Sequence, residues 1–361
     1  MTEDKVADNF LWHRQNGHVS LQQHVAATRR KFAISVRAKR KIYLDLCFWI
    51  LLRRAYLDPK SCATSETELL TLLLTEVELG RAICPISEST FIELFKQTDP
   101  NSRNATARLI DKLSQGLSLL PFDERIEEEI WHALSSAAEV PNLQPTWPNI
   151  WTKLPYVLGE THPIGTPFSP SEELVIQKAF FDQMWKISLV EMLNHLGSEM
   201  PPAHDWDGLA ENLNTANMAH KNEIKNYAQA HRHEFEGGLT LFKEKLQTIT
   251  KALLEAGYWQ SDTNDDRKSV NKAFKAFTRS VPTLHVYASC HAAVRWDKKR
   301  KVTGNDLFDF HHAQAALAYC DVFLTENPLK TLLQQGHLGL ADAFACAVLS
   351  GVDEAIDHIR A

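Results

Sequence analysis

Two segments of this chain alternate short apolar runs with helical patterns, and a proline-dense middle separates them. In the first segment, residues 42–47 and 82–86 have the composition of short buried strands. Helical patterns at 48–54, 64–80 and 87–96 lie between and after these runs. This order of elements predicts an α/β fold with a central parallel sheet.

The middle of the chain lacks that alternation. Seven prolines crowd residues 141–170, and proline at this density interrupts helices and strands alike. We therefore expect a long irregular connection here. Residues 171–196 and 215–258 have helical patterns, with a break or kink expected at Gly237-Gly238. The run 261–266 is predicted to be a polar loop.

The alternation returns near the end of the chain. A strong helical pattern covers 305–319, a short β-branched and aromatic strand follows at 322–325, and another helix is predicted at 329–335. The predicted organisation is one α/β core split by an insertion. Its parts are a basic extension at 1–40, a first core part at 41–135, a mostly helical insertion at 136–281 and a second core part at 282–361.

Composition excludes several classes of protein. The 361 residues carry a formal net charge of -6, which excludes a surface coated in basic charge but leaves room for a local basic groove. No stretch approaches the roughly 18 apolar residues of a transmembrane helix, and the polar start does not resemble a signal peptide. The six cysteines form no C-x-x-C pair, so reduced, buried thiols in the cytoplasm are expected. No phosphate-binding glycine motif and no G-x-S-x-G motif occurs, so ATP, dinucleotide and serine-hydrolase chemistry are not supported.

Positive charge is concentrated in two places. Residues 9–44 contain eight Lys or Arg and no Asp or Glu, a net charge of about +8. This segment either contacts a polyanion or packs as a solvated helix on an acidic surface, for which the run 123–129 is a candidate. The second cluster is the loop 295–301, where Trp296 lies among basic residues. It suits single-stranded RNA, with cations on phosphates and an aromatic ring under a base, or is an ordinary solvated loop.

Four acids occupy informative positions. Asp45 lies in the apolar first strand, Glu93 in the first turns of the helix after the second strand, Asp309 in the helix 305–319, and Asp321 directly before the third strand. Sites in open parallel sheets gather at the carboxyl ends of strands. A carboxylate in an apolar strand is costly unless it is paired or binds a cation. Alone, each acid has an ordinary explanation, such as a capping box from Thr90 to Glu93. Together they predict a site for a divalent cation.

The joint pattern resembles the PIN domain family of metal-dependent nucleases. YLDLCFWI at 43–50 is similar to the family's opening strand with its first acid, and SESTFIEL at 87–94 to the segment with its second. NDLFDFHHAQAALAYCDVFLTEN at 305–327 is similar to its closing helix and strand. The resemblance covers roughly residues 41–97 and 283–335. It implies a three-layer fold around a parallel sheet, here interrupted by the large helical insertion.

The resemblance also assigns roles to individual residues. It implies one or two Mg²⁺ or Mn²⁺ ions held by a catalytic quartet of Asp45, Glu93, Asp309 and Asp321. Further acids or amides near the site are Asp306 and Glu326 as metal ligands, Glu88 as an alternative to Glu93, and Asn327. The expected substrate-binding residues are Arg295, Lys298, Lys299, Arg300 and Thr325.

The function implied is a ribonuclease that cuts RNA internally, with single-stranded RNA favoured and water activated by the metal. Two rivals stay open. One is an inactive PIN-like scaffold or binding module that uses the insertion as a partner surface, and the residues at Cys47 and Asn327, which differ from the family's usual ones, slightly favour it. The other is a structure-selective DNA nuclease. The sequence does not predict an oligomeric state.

Overall fold

A four-stranded parallel sheet forms the centre of the computed structural model, which describes residues 3–196, 205–258, 277 and 280–361. Its strands are β1 (Arg40–Leu44), β2 (Ala82–Ile83), β5 (Val322–Leu324) and β6 (Ala347–Leu349), and they lie in the order β2-β1-β5-β6. Leu44 lies opposite Leu324 in the register of the two central strands. The predicted α/β fold with a central parallel sheet is thus confirmed.

Helices make up most of the described chain. In chain order they are α1 (Glu3–Gln15), α2 (Leu21–Val36), α3 (Leu46–Leu57), α4 (Thr64–Glu78), α5 (Glu88–Lys96), α6 (Pro100–Ser114), α7 (Phe122–Ala137), α8 (Pro170–Met184), α9 (Leu189–Leu196), α10 (Trp206–Ala219), α11 (Tyr227–Leu241), α12 (Lys243–Glu255), α13 (Pro282–Trp296), α14 (Gly304–Ala316), α15 (Asn327–Leu333), α16 (Leu340–Ala343) and α17 (Val352–Arg360). Short 3₁₀ turns lie at Pro59–Ser61, Trp147–Asn149, Leu154–Tyr156 and Gly336–Leu338.

Helices cover both faces of the sheet. Side chains alternate along a strand, so Ile42 and Leu44 of β1 enter one apolar core while Tyr43 between them enters the other. The helix after β1, α3, buries its apolar side in the first core, and the helix after β5, α15, buries its own in the second. The chain therefore leaves these neighbouring strands toward opposite faces, which opens a crevice at their carboxyl ends.

Two boundaries differ from the sequence expectation. Asp45 is not inside the first strand but is the N-cap of α3, because its side chain accepts a hydrogen bond from the backbone at Leu46. The pair Gly237-Gly238 does not break a helix, since both glycines lie within α11. A Cβ at Gly238 would lie 2.5 Å from a methyl carbon of Leu284, so this glycine permits the close packing of α11 on α13.

The proline-dense stretch contains more structure than expected. Residues Trp151–Lys153 form β4, which pairs in antiparallel fashion with β3 (Leu117–Leu119). Trp151 and the neighbouring Ile150 are fully buried in the same core as Tyr43. The prediction of an irregular connection was wrong at this point, because a partner strand more than thirty residues away supplies the hydrogen bonds that prolines withhold locally. Ala210 of α10 enters this core too.

The run 261–266, predicted to be a polar loop, lies outside the described residues. The six cysteines all lie within the described residues and all are free thiols. Across the part of the chain that the structure describes, no helix combines the length and the apolar character needed to cross a membrane.

Candidate functional site

The crevice between β1 and β5 holds Asp45 in a fixed orientation. Its backbone N–H donates to the carbonyl of Leu324 at 3.0 Å, which continues the β1–β5 ladder. One carboxylate oxygen accepts from the N–H of Leu46 at 2.6 Å, and the other accepts from the hydroxyl of Thr325 at 2.8 Å. The hydrogen bonds from Leu46, the first residue of α3, and from Thr325, directly after β5, hold the carboxylate in place, and its oxygens keep lone pairs for further donors or a cation.

His312 connects the two helical layers at this point. Its Nε2 lies 2.8 Å from a carboxylate oxygen of Glu93 and 3.8 Å from one of Asp45, and its Nδ1 lies 2.8 Å from the hydroxyl of Tyr43. The tyrosine hydroxyl in turn lies 2.5 Å from the hydroxyl of Ser87. The imidazole is fully buried, so a hydrogen-bond network shielded from solvent joins α5 to α14.

The electrostatics of the crevice are strongly coupled. Burial, together with the nearby charge of Asp45, raises the pKa of Asp309 to about 7. Burial alone would lower the pKa of His312, but the hydrogen-bonded tyrosine and the carboxylates of Asp45 and Glu93 outweigh it and raise that pKa well above its usual value. Asp309 and His312 are three residues apart on α14 and therefore share one helix face.

The same neighbourhood argues against a cysteine nucleophile. Burial, followed by the charges of Asp45 and Glu326, raises the pKa of the Cys47 thiol. A thiol held in its neutral form is a poor nucleophile. The chemistry available in the crevice is therefore that of carboxylates and one imidazole.

The residues present fit a divalent cation. Ligand atoms of Asp45, Glu93 and His312 all lie within 4.8 Å of one another. Carboxylate oxygens are the ligands of Mg²⁺ and Mn²⁺, so Asp45 and Glu93 would hold the ion. His312, whose raised pKa favours the protonated ring, donates to Glu93 and orients that carboxylate. The raised pKa of Asp309 marks a carboxyl group whose negative charge lacks full compensation, which a cation would supply.

The structure does not bring Asp321 into this group. Asp321 precedes β5, whereas Asp45 follows β1, so the two acids lie at opposite edges of the sheet. Its carboxylate accepts a hydrogen bond from the backbone N–H of Lys41 at 2.6 Å. Asp321 thus lies beside Lys41, which precedes Asp45 by four residues, or roughly 13 Å of extended chain. The expectation that all four acids of the quartet share a metal was therefore wrong for Asp321, because parallel strands place residues before and after them at different ends.

Other predicted ligands have other partners. Asp306 caps α14 through Thr303 and forms an ion pair with Arg300 at 2.6 Å, so its two oxygens are occupied. Glu88, the alternative to Glu93, accepts from the backbone of Phe122 at the start of α7. Glu326 is exposed directly after β5, close enough for its charge to contribute to the raised pKa of Asp309. Asn327 is exposed beside it.

The predicted substrate-binding residues divide into two groups. Arg295 forms an ion pair with Glu234 of α11, Arg300 is held by Asp306, and Thr325 is fully buried with its hydroxyl on Asp45. Thr325 therefore orients Asp45 and is not placed to touch a substrate. Lys298 and Lys299 are exposed. They line a pocket of about 200 Å³ between the loop 297–301 and α10.

The basic segment near the amino terminus packs on the protein. Arg29 lies 3.8 Å from Glu124 and 3.3 Å from Glu160, and Arg30 donates to the side chain of Asn149 at 3.2 Å. Of the two expectations for this segment, these contacts match docking on the acidic run 123–129. They leave less of its charge for a polyanion.

Sequence reasoning missed two members of the site. No role was predicted for His312 beyond its place in the run 305–327, and Tyr43 was treated only as part of a strand. Spacing gave a usable signal for the histidine, because residue 312 lies one turn beyond Asp309 and must share its face.

No family profile, no curated protein and no solved structure matches this chain.

Proposed function

We propose that this protein is a metal-dependent nuclease that hydrolyses RNA at the crevice between β1 and β5, within a PIN-like fold. The observation that carries the proposal is the convergence of Asp45, Glu93 and His312 at the point where α3 and α15 leave the sheet in opposite directions. Ligands in open α/β sheets bind at such points. Asp309 lies on the face of α14 that carries His312.

A bound divalent cation would lower the pKa of an attacking water and neutralise charge on the phosphodiester. The protein's own residues have separate tasks. Asp45, fixed by Leu46 and Thr325, presents a carboxylate in one orientation. Glu93 accepts from His312, which is itself held by Tyr43. Ligands held on rigid strand and helix ends need little reorganisation during the reaction.

Basic side chains lie on α5 and on the loop before α14, the two helices that contribute Glu93 and His312, and they would suit a polyanionic substrate. Arg300 pairs with Asp306, which lies one turn before Asp309 on α14. The exposed Lys298 and Lys299 extend from the same loop. On the other side, the ammonium of Lys96 lies 3.7 Å from the ring centre of Phe308 and shares the neighbourhood of Glu93. Cations beside an acidic centre suit phosphates that flank a scissile bond.

Cleavage of labelled single-stranded RNA with Mg²⁺ or Mn²⁺ tests this proposal. Glu93→Gln removes the ligand charge while its amide can still meet His312, so we expect cleavage to fall by about a thousandfold, equivalent to roughly 4 kcal/mol of transition-state stabilisation. Glu88→Gln is the matched control on the same helix, since the Glu88 carboxylate accepts a hydrogen bond from the backbone of Phe122 at the start of α7. It should cleave at the parental rate.

Three outcomes separate the alternatives. A preparation that cuts single-stranded DNA or DNA flaps better than RNA identifies the DNA-nuclease alternative. A parent protein that neither cleaves nor binds Mn²⁺ identifies the scaffold alternative. Equal cleavage by the parent and Glu93→Gln contradicts the assigned site.

A further inference from the structure

A second cluster of metal-ligating side chains lies far along the chain from the acidic crevice residues, among α1, α2 and α8. Nε2 of His13 lies 2.9 Å from one carboxylate oxygen of Asp182, and Nε2 of His24 lies 2.7 Å from the other. The two imidazole rings are perpendicular, with centroids 4.8 Å apart. All the ligand atoms lie within 4.8 Å of one another.

The accessibility of this cluster suits a metal with one open position. His13 is fully buried, whereas the side chains of His24 and Asp182 retain exposed fractions of 11% and 22%. Three protein ligands with a solvent-facing gap is the arrangement in which a fourth ligand can be water. Burial lowers the pKa of His13, which favours the neutral ring that metal coordination requires.

The donor set differs in kind from that of the crevice. Two imidazoles and one carboxylate suit Zn²⁺ and similar first-row metals, whereas Mg²⁺ prefers oxygen ligands. Nδ1 of His13 is buried and has no hydrogen-bond partner among the described residues. An ionised carboxylate only accepts, so in the metal-free protein the Nε2–H groups of His13 and His24 donate to Asp182. A metal bound at these nitrogens would displace their protons.

The surroundings show what such a metal would join. His13 is in the last turn of α1 and His24 in the first turn of α2, so the two residues flank the non-helical turn at 16–20 that joins these helices. The ammonium of Lys178, one turn before Asp182 on α8, already donates to the carbonyls of Asn16 and Val19 within that turn, each at 3.0 Å. Asp182 and Lys178 thus tie the same turn to α8.

We propose that His13, His24 and Asp182 form a binding site for Zn²⁺ or a similar transition metal, separate from the acidic crevice, that fastens the two amino-terminal helices to α8. Because the three ligands come together only in the folded chain, the metal binds the native protein and not the unfolded chain, and it stabilises the fold by mass action. The inference does not depend on nuclease activity.

Isothermal titration of the full chain with zinc chloride, after removal of metals, tests the site. Asp182→Asn is nearly isosteric and can still accept from one histidine, so it should keep the fold while losing the anionic ligand. We expect it to weaken zinc binding by more than about a hundredfold, since loss of an outer-shell partner alone costs 10–100-fold. His24→Ala, at a partly exposed position, should behave in the same way.

Two controls make the result specific. His18→Ala removes an exposed histidine from the turn between the same helices and should leave zinc affinity unchanged. Asp45→Asn alters the acidic crevice and should also retain this binding event, which separates a failure here from a failure of the nuclease proposal.

Circular dichroism checks that each variant is folded. Zinc should raise the melting temperature of the parent and not that of Asp182→Asn. A parent that binds no Zn²⁺, or an Asp182→Asn variant that binds it as the parent does, overturns the proposal.

Discussion

The two edges of the parallel sheet each carry an acid next to a strand, and the two acids have different surroundings. Asp45 follows β1 and lies among Glu93, His312 and Asp309 at the carboxyl edge. Asp321 precedes β5 at the amino edge, where it is exposed and accepts a hydrogen bond from the N–H of Lys41. An acid beside a strand is thus a candidate ligand only at the carboxyl edge, where the helices that follow β1 and β5 leave toward opposite faces and open a crevice. At the other edge it supplies one hydrogen bond.

The largest expected effect comes from the same substitution made at both edges. Asp45→Asn should lower metal-dependent RNA cleavage by about a thousandfold or more, because the charge that binds a cation is lost. The amide oxygen can still accept from the N–H of Leu46 while the NH₂ group donates to the Thr325 hydroxyl, so the fold should be kept. Asp321→Asn should cleave within about twofold of the parent, since its amide oxygen can still accept from Lys41. Rates measured side by side in Mg²⁺ and in Mn²⁺ check this. Equal losses in the two variants would break the contrast between the edges.

An intermediate effect concerns Asp309 and pH. Because its pKa in the folded protein, about 7, lies above the usual value near 4, the folded metal-free protein holds this proton more tightly than the unfolded chain does. Ionisation of Asp309 therefore lowers the free energy of unfolding as pH rises from about 4 to 7, and the full loss is present above about pH 7. Asp309→Asn should remove this penalty.

Urea denaturation with chelator at pH 5 and pH 8 measures the size of this effect. We expect Asp309→Asn to gain stability relative to the parent on going from pH 5 to pH 8, on the order of a few kcal/mol or less. Mn²⁺ should stabilise the parent at pH 8 and have a smaller effect on the variant, because the cation supplies the missing compensation. A variant whose stability tracks that of the parent at both pH values contradicts the placement of Asp309.

The smallest effect is expected at the amino edge. Asp321→Ala removes the acceptor for the N–H of Lys41, which lies on a central strand, and should lower the free energy of unfolding by about 1 kcal/mol. Mn²⁺ should raise the melting temperature of this variant as much as that of the parent. If Mn²⁺ no longer raises the melting temperature of Asp321→Ala, the metal binds at the amino edge of the sheet and not beside Asp45.

Local pattern predicted much of the core. The helix 64–80 and the alanine-rich helix around 309 could be located because each pattern lies within one element. Asp45 was assigned to the strand but caps the helix after it, because the boundary between the two elements is not marked in the local pattern. The parallel sheet followed from the alternation of strands and helices. Asp321 was placed wrongly because resemblance to a family outweighed a simple geometric fact, that it comes before its strand and not after it.

Other features depend on contacts between distant parts of the chain. The strand at Trp151 exists because β3 pairs with it, and neither run is long enough to be recognised alone. The Tyr43–His312 hydrogen bond joins residues 269 positions apart. The cluster of His13, His24 and Asp182 likewise requires α8 to return to the amino-terminal helices. Periodicity carries no information about such encounters.

The most direct test of the acidic crevice is X-ray diffraction from crystals soaked in Mn²⁺, with data collected near the manganese absorption edge. We expect an anomalous peak between Asp45 and Glu93, with carboxylate oxygens at about 2.1–2.3 Å and with Asp309 directed toward it. Asp45→Asn crystals treated in the same way should show no such peak. An empty crevice in parent crystals at saturating Mn²⁺, or a peak at Asp321 in its place, would contradict the central claim.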